Sequence, residues 1–121
     1  MVESSTPNQV LRRPLVLPCG AVLKHRLVKS AMSDSLGDGR GDPTAAQMRL
    51  YERWAQGGIA LSIIGEVQGD PHFPEKPGNL VLGESSNQQA LQSLAGRASI
   101  DDAHLWPQLG HAGALSHPPI S

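Results

Sequence analysis

A chain of 121 residues with 39% hydrophobic but only 3% aromatic side chains can build one modest core and has little material for a second. Ten basic against eleven acidic residues leave a net charge of -1, with no basic block to suit nucleic acid and no acidic tail to act as a solvating arm. One cysteine, Cys19, excludes an internal disulfide; the polar start is no secretory leader and the longest apolar stretch, 59–64, is too short to span a bilayer, so a cytoplasmic protein without a membrane partner is expected.

Residues 1–13 read as a flexible, polar N-terminus. Leu15-Val16-Leu17 and Ala21-Val22-Leu23 are short apolar runs separated by Pro18-Cys19-Gly20, which carries turn chemistry and predicts a small hairpin. Leu27 to Met32 reads as a strand. Ser33 to Pro43, with three glycines and three aspartates, reads as a flexible loop. The spacing then predicts a helix over 44–56. Thr44 and Gln47 stand at capping-box distance, and Met48, Tyr51 and Ala55 share one face. Gly57-Gly58 stops it. The charges of Glu52 and Arg53 mark its solvated side.

Ile59 to Ile64 is apolar on both faces, as a parallel strand covered from two sides requires. A polar loop with Pro71, Pro74, Pro77 and Gly78 follows. Asn87 can cap a second helix, in which Leu91, Leu94, Ala95 and Ala98 keep helical spacing. Ala103 to Leu109 is a third strand despite Pro107 inside it. Pro118-Pro119 is the last breaker. His104, His111 and His117 match no zinc spacing, so no metal site is expected.

A hairpin followed by β, α, β, α, β indicates an α/β fold with a parallel sheet. Three strands and two helices make a partial (β/α)8 TIM barrel, since a closed one takes about 250 residues. In such barrels the functional residues sit where strands end. Three strand ends carry unusual sequence: Ser30-Ala31-Met32-Ser33, Gly65-Glu66-Val67 and Gln108-Leu109-Gly110-His111-Ala112-Gly113.

These residues carry a resemblance. Leu23 to Met32 resembles the first barrel strand of the Old Yellow Enzyme and NADH:flavin oxidoreductase family. Tyr51 to Leu61 is similar to its first helix and second strand, and Gln108 to Gly113 to the end of its third strand. The likeness runs over roughly residues 14 to 115, and three pieces in the right order are far more specific than any one of them. His25 and Ala114 depart from the asparagine and arginine common in the family.

The resemblance implies residues 14–121 as the N-terminal portion of an FMN-binding TIM barrel. It implies an oxidoreductase that takes hydride from NAD(P)H and reduces activated C=C bonds of a small-molecule substrate. Ser30, Ala31 and Met32 would place backbone against the isoalloxazine, and Ser33 a hydroxyl near its O4 and N5. Glu66 stands where the family offers backbone. Gln108 matches the glutamine whose amide binds the pyrimidine edge, a pairing that suits an amide because it both donates and accepts. The substrate-binding pair, the proton-donating tyrosine and the phosphate loops belong to later strands in the family, so no catalytic residue is assigned. The chain is expected to be inactive alone; the alternative is a non-catalytic remnant or a barrel piece that depends on a partner.

Overall fold

The computed structural model describes residues 6–72 and 76–115. His117, the Pro118-Pro119 pair, Pro74 and the first five residues lie outside them.

The first element departs from expectation. Pro7–Arg12 is a short helix, α1, opened by a full capping box in which Thr6 and Gln9 satisfy each other's backbone amides. It buries no side chain, which is why hydrophobic spacing gives no sign of it. Strands β1 (Leu15–Val16) and β2 (Val22–Leu23) then pair antiparallel as the expected hairpin. Gly20 turns it at φ +92°, a conformation costly for any residue with a Cβ.

Three parallel strands follow: β3 (Val28–Ser33), β4 (Leu61–Gln68) and β6 (His104–Gly110). β4 lies in the middle, with β3 on one side and β6 on the other. A fourth strand, β5 (Leu80–Val81), pairs with the last residues of β4. It falls in what reads from sequence as loop. β4 also runs four residues beyond the expected Ile64, because Val67 continues the apolar face after Glu66.

Helix α2 (Ala45–Gln56) starts at Thr44, whose hydroxyl accepts from the Gln47 amide. Only half of the expected capping box forms, because the Gln47 side chain turns to Asp34. Helix α3 (Gln88–Ala98) is capped by the Asn87 side chain on the Ala90 amide. Between these helices and the sheet lies the main core of Tyr51, Ile64, Val67, Leu80, Leu94 and Ala98. A second cluster joins Leu23 of the hairpin to Ala60 and Leu61, so the hairpin closes the N-terminal end of the sheet.

Two further expectations are corrected. Glu52 is half-buried and pairs with Arg97, tying α2 to α3 rather than only facing water. The loop after β3 is pinned at several points. Gly37 donates to the Gly78 carbonyl at 2.9 Å, Gly41 accepts from Val81 at 2.9 Å, and the Asp42 carboxylate accepts from the Asn87 amide at 2.8 Å. Gly37 and Gly78 cross backbone to backbone, leaving no space for a Cβ on either.

Candidate functional site at the strand ends

The sheet is irregular at one level, near the C-terminal ends of its strands. Lys29 pairs with Ser62 and Met32 with Ile64, so β3 carries one extra residue there. Ile64 pairs with Pro107 and Val67 with Leu109, so β4 carries one extra residue beside β6. Bulges of this kind re-aim the residues that follow them. The Gly65-Glu66 peptide at the second bulge is cis.

Gly65 is the point where the three strand ends meet. Ser33 stands opposite it in the β3 register. A Cβ on Gly65 would lie 2.6 Å from Gln108 Oε1, 2.9 Å from Ala31 Cβ and 3.3 Å from the Met32 amide nitrogen. Only glycine lets β3 and β6 close in this tightly on β4. The structure therefore brings Ala31, Met32, Ser33 and Gln108 together. Ser30 lies one step earlier, in the bulged stretch. Glu66 is half-buried and follows Gly65; its Oε2 accepts from Gln68 Nε2 at 3.4 Å and lies close to Gly110, so its side chain runs along the sheet's end toward β6.

The side chains of Ser30, Ser33 and Gln108 are exposed and form no hydrogen bond with any other described residue. Met32 is 58% exposed. Two hydroxyls, a carboxamide and backbone thus face outward at the end of the sheet. The arrangement can offer donors and acceptors side by side to a flat polar edge, with an apolar side chain beside them.

A charged network lies directly behind this edge. Lys29 is buried, and its ammonium donates to the Ser30 carbonyl at 2.9 Å and the Ile63 carbonyl at 3.1 Å. It lies 5.2 Å from the Tyr51 ring centroid and 6.0 Å from that of Trp54. Burial pushes its pKa down, with the Asp34 carboxylate opposing. The Tyr51 hydroxyl donates to Asp34 at 3.1 Å, and Gln47 Nε2 reaches both Asp34 oxygens at 3.2 Å. Burial raises the Tyr51 pKa, and the Asp34 charge and hydrogen bond add to the effect. Sequence reasoning marked Gly65 only as part of an unusual strand end, not as the point where the strands meet, and it missed this network. The available signal was a lysine near the start of a predicted strand.

Among the described residues no group of three or more histidines, cysteines or carboxylates could hold a metal ion. No described helix is long and apolar enough to cross a membrane.

No family model matches the chain. It is 32% identical over 104 residues to the NADH-dependent flavin oxidoreductase iliE of Hypocrea jecorina, a match that covers 83% of this chain and 26% of that protein. The structure of a 2-naphthoyl-CoA reductase aligns with a TM-score of 0.82 at 21% identity, over 89% of this chain and 16% of the other. The old yellow enzyme of Trypanosoma cruzi aligns at 0.79 and 18% identity, over 88% of this chain and 28% of the other. The chain thus spans about a quarter of the length of the curated relative. The likeness to the Old Yellow Enzyme and NADH:flavin oxidoreductase family holds in sequence and in fold.

Proposed function

We propose that this segment opens the barrel of a flavin-dependent NAD(P)H oxidoreductase, with FMN as its flavin. The ends of β3, β4 and β6 line one edge of the isoalloxazine. The observation that carries this reading is the convergence of Ala31, Met32, Ser33 and Gln108 on Gly65, with three polar side chains of the edge unpartnered toward the protein. The donor set suits the cofactor, because a flavin's pyrimidine edge alternates donors and acceptors and the Gln108 amide offers both.

A flavin bound there would supply hydride-transfer chemistry. This chain's own part would be to hold it: Gln108 would bind the pyrimidine edge, the Ser33 hydroxyl would reach toward O4 and N5, and the backbone of Ser30 to Met32 and of Glu66 would contact the isoalloxazine. Proton donation to a substrate needs another group. The chain's one tyrosine, Tyr51, is fully buried in the core behind the sheet. On this reading the segment positions the flavin, and no described side chain of it is assigned a catalytic role.

The test is a chimera of residues 1–121 with the remainder of the Hypocrea relative. The purified chimera should be yellow, and Gln108→Ala should weaken FMN binding several-fold, since one neutral hydrogen bond is worth about 1 kcal/mol. A folded but colourless chimera overturns the flavin reading, and equal affinity removes Gln108 from the site. The chain without the other strands should bind FMN more weakly than micromolar, as one edge provides few of the convergent contacts of a preformed cavity.

A further inference from the structure

Lys29 and Asp34 bracket the stretch 30–33, and the reading above assigns neither a role. Both are charged groups placed at the back of a sheet, where burial without partners is expensive. Each is partnered in a way that acts on the strand end. The β3 bulge breaks the regular ladder between Lys29 and Met32. A bulge leaves ladder groups unpaired, and the Lys29 ammonium donates to carbonyls on both sides of the break, Ser30 and Ile63. Asp34 begins the loop beyond the strand. Its Oδ1 accepts from the Leu36 amide at 2.8 Å, and its carboxylate takes both Gln47 Nε2 and the Tyr51 hydroxyl from α2. Gln47 and Tyr51 are among the most buried side chains of the molecule, so the anchor on α2 is rigid.

We propose that Asp34, with Lys29 behind it, is a positioning residue: the pair holds the bulged end of β3 against α2 and so fixes where Ser33 and the Ala31-Met32 backbone stand. The purpose of that positioning rests on the flavin reading; the tether itself does not. Hydrogen bonds to a charged partner are stronger than neutral ones, which suits a short connection that must resist fraying at a strand end. The carboxylate also gives the device a signature that packing alone would not have. Asp34 faces the Tyr51 hydroxyl, Lys29 lies over the Tyr51 ring, and the chain has no other tyrosine.

The experiment compares the chain with its Asp34→Asn and Asp34→Glu variants by three readouts. In Asp34→Asn, hydrogen exchange at the Ser33 and Leu36 amides should rise about tenfold, the loss expected for one charged hydrogen bond. The amides of Ile63 to Val67 should keep their protection. Tyrosinate absorbance should show Tyr51 ionising at lower pH than in the wild type, because a negative charge that opposed ionisation is gone. FMN affinity, read in the chimera of residues 1–121 with the remainder of the Hypocrea relative by quenching of flavin fluorescence, should fall several-fold, and Asp34→Glu should recover part of each change. Should Asp34→Asn fail to fold, Tyr51→Phe cuts one bond of the tether and should still raise exchange at Leu36. Unchanged exchange and an unmoved Tyr51 titration overturn the proposal, as does a rise spread evenly through β4. A folded chimera that binds no FMN removes the flavin reading instead, and exchange and the Tyr51 titration then decide the tether.

Discussion

Gly65 shows how one residue can set the spacing of three strands. Its neighbours are a carboxamide oxygen from β6 and a methyl and an amide from β3, all within 3.3 Å of where a Cβ would stand. Gln108 is exposed and could swing aside, but Ala31 Cβ and the Met32 nitrogen belong to the strand and cannot. Gly65→Ala should therefore push β3 away from β4 and destabilise the protein by about 1–3 kcal/mol, the usual cost of overpacking. Gly83 supplies the comparison, since a Cβ there meets nothing within 4 Å. Gly83→Ala should leave the unfolding free energy within roughly 0.5 kcal/mol of wild type. Chemical denaturation of both variants checks the pair, and a Gly65→Ala protein as stable as Gly83→Ala contradicts the close packing described at the strand ends.

At the scale of elements, the helices are held at their beginnings. The Thr44 hydroxyl accepts from Gln47 and also donates to the Leu36 carbonyl at 2.6 Å, so one side chain starts α2 and fastens the loop before it. Asn87 does the same for α3: its side chain caps Ala90, while its own amide donates to Asp42. Asn87→Ala should cost about 1 kcal/mol, the typical loss for an N-cap. Asn87→Ser should recover most of it, because serine can accept the same amide bond. Thermal unfolding of the two variants measures this, and an alanine variant that melts with the wild type would show that the cap contributes nothing. Both capping residues are legible in the sequence, since a cap and its amide stand three residues apart. The second role of each is not, because Leu36 and Asp42 are placed beside the caps only by the path of the loop.

For the whole molecule, the asymmetry between the middle strand and its neighbours matters most. β4 is bonded on both sides, whereas β3 and β6 each have one edge without a strand partner among the described residues. Val28, Met32, Trp106 and Leu109 are all more than a third exposed, and Leu109 reaches 67%. Unpaired strand edges exchange freely with water and invite pairing. Amides of Ile63 to Val67 should thus exchange at least about tenfold more slowly than the outward-pointing amides of β6, a gap expected between a core strand and a free edge. Hydrogen exchange on dilute chain measures the ratio; equal protection in β6 would mean that its outer edge is covered.

What the residues determined by themselves was the order of elements. The turn at Gly20, the caps at Thr44 and Asn87, the helical spacing of Tyr51 and Ala55 and the apolar run before Gly65 all act over a few positions, so their energetics are written locally. The short α1 escaped because it buries nothing, and β5 because two residues carry no period. The candidate site was legible only in part. The resemblance drew attention to residues 30–33, 66 and 108, but Gly65 as their meeting point depends on two bulges, and a one-residue shift between strands leaves no mark in either strand's sequence. The pairing of Asp34 with Tyr51, seventeen positions apart, and of Glu52 with Arg97, forty-five apart, was likewise decided by tertiary structure. A charged side chain states its chemistry in the sequence, but its partner is chosen by the sheet and helices that bring the two together.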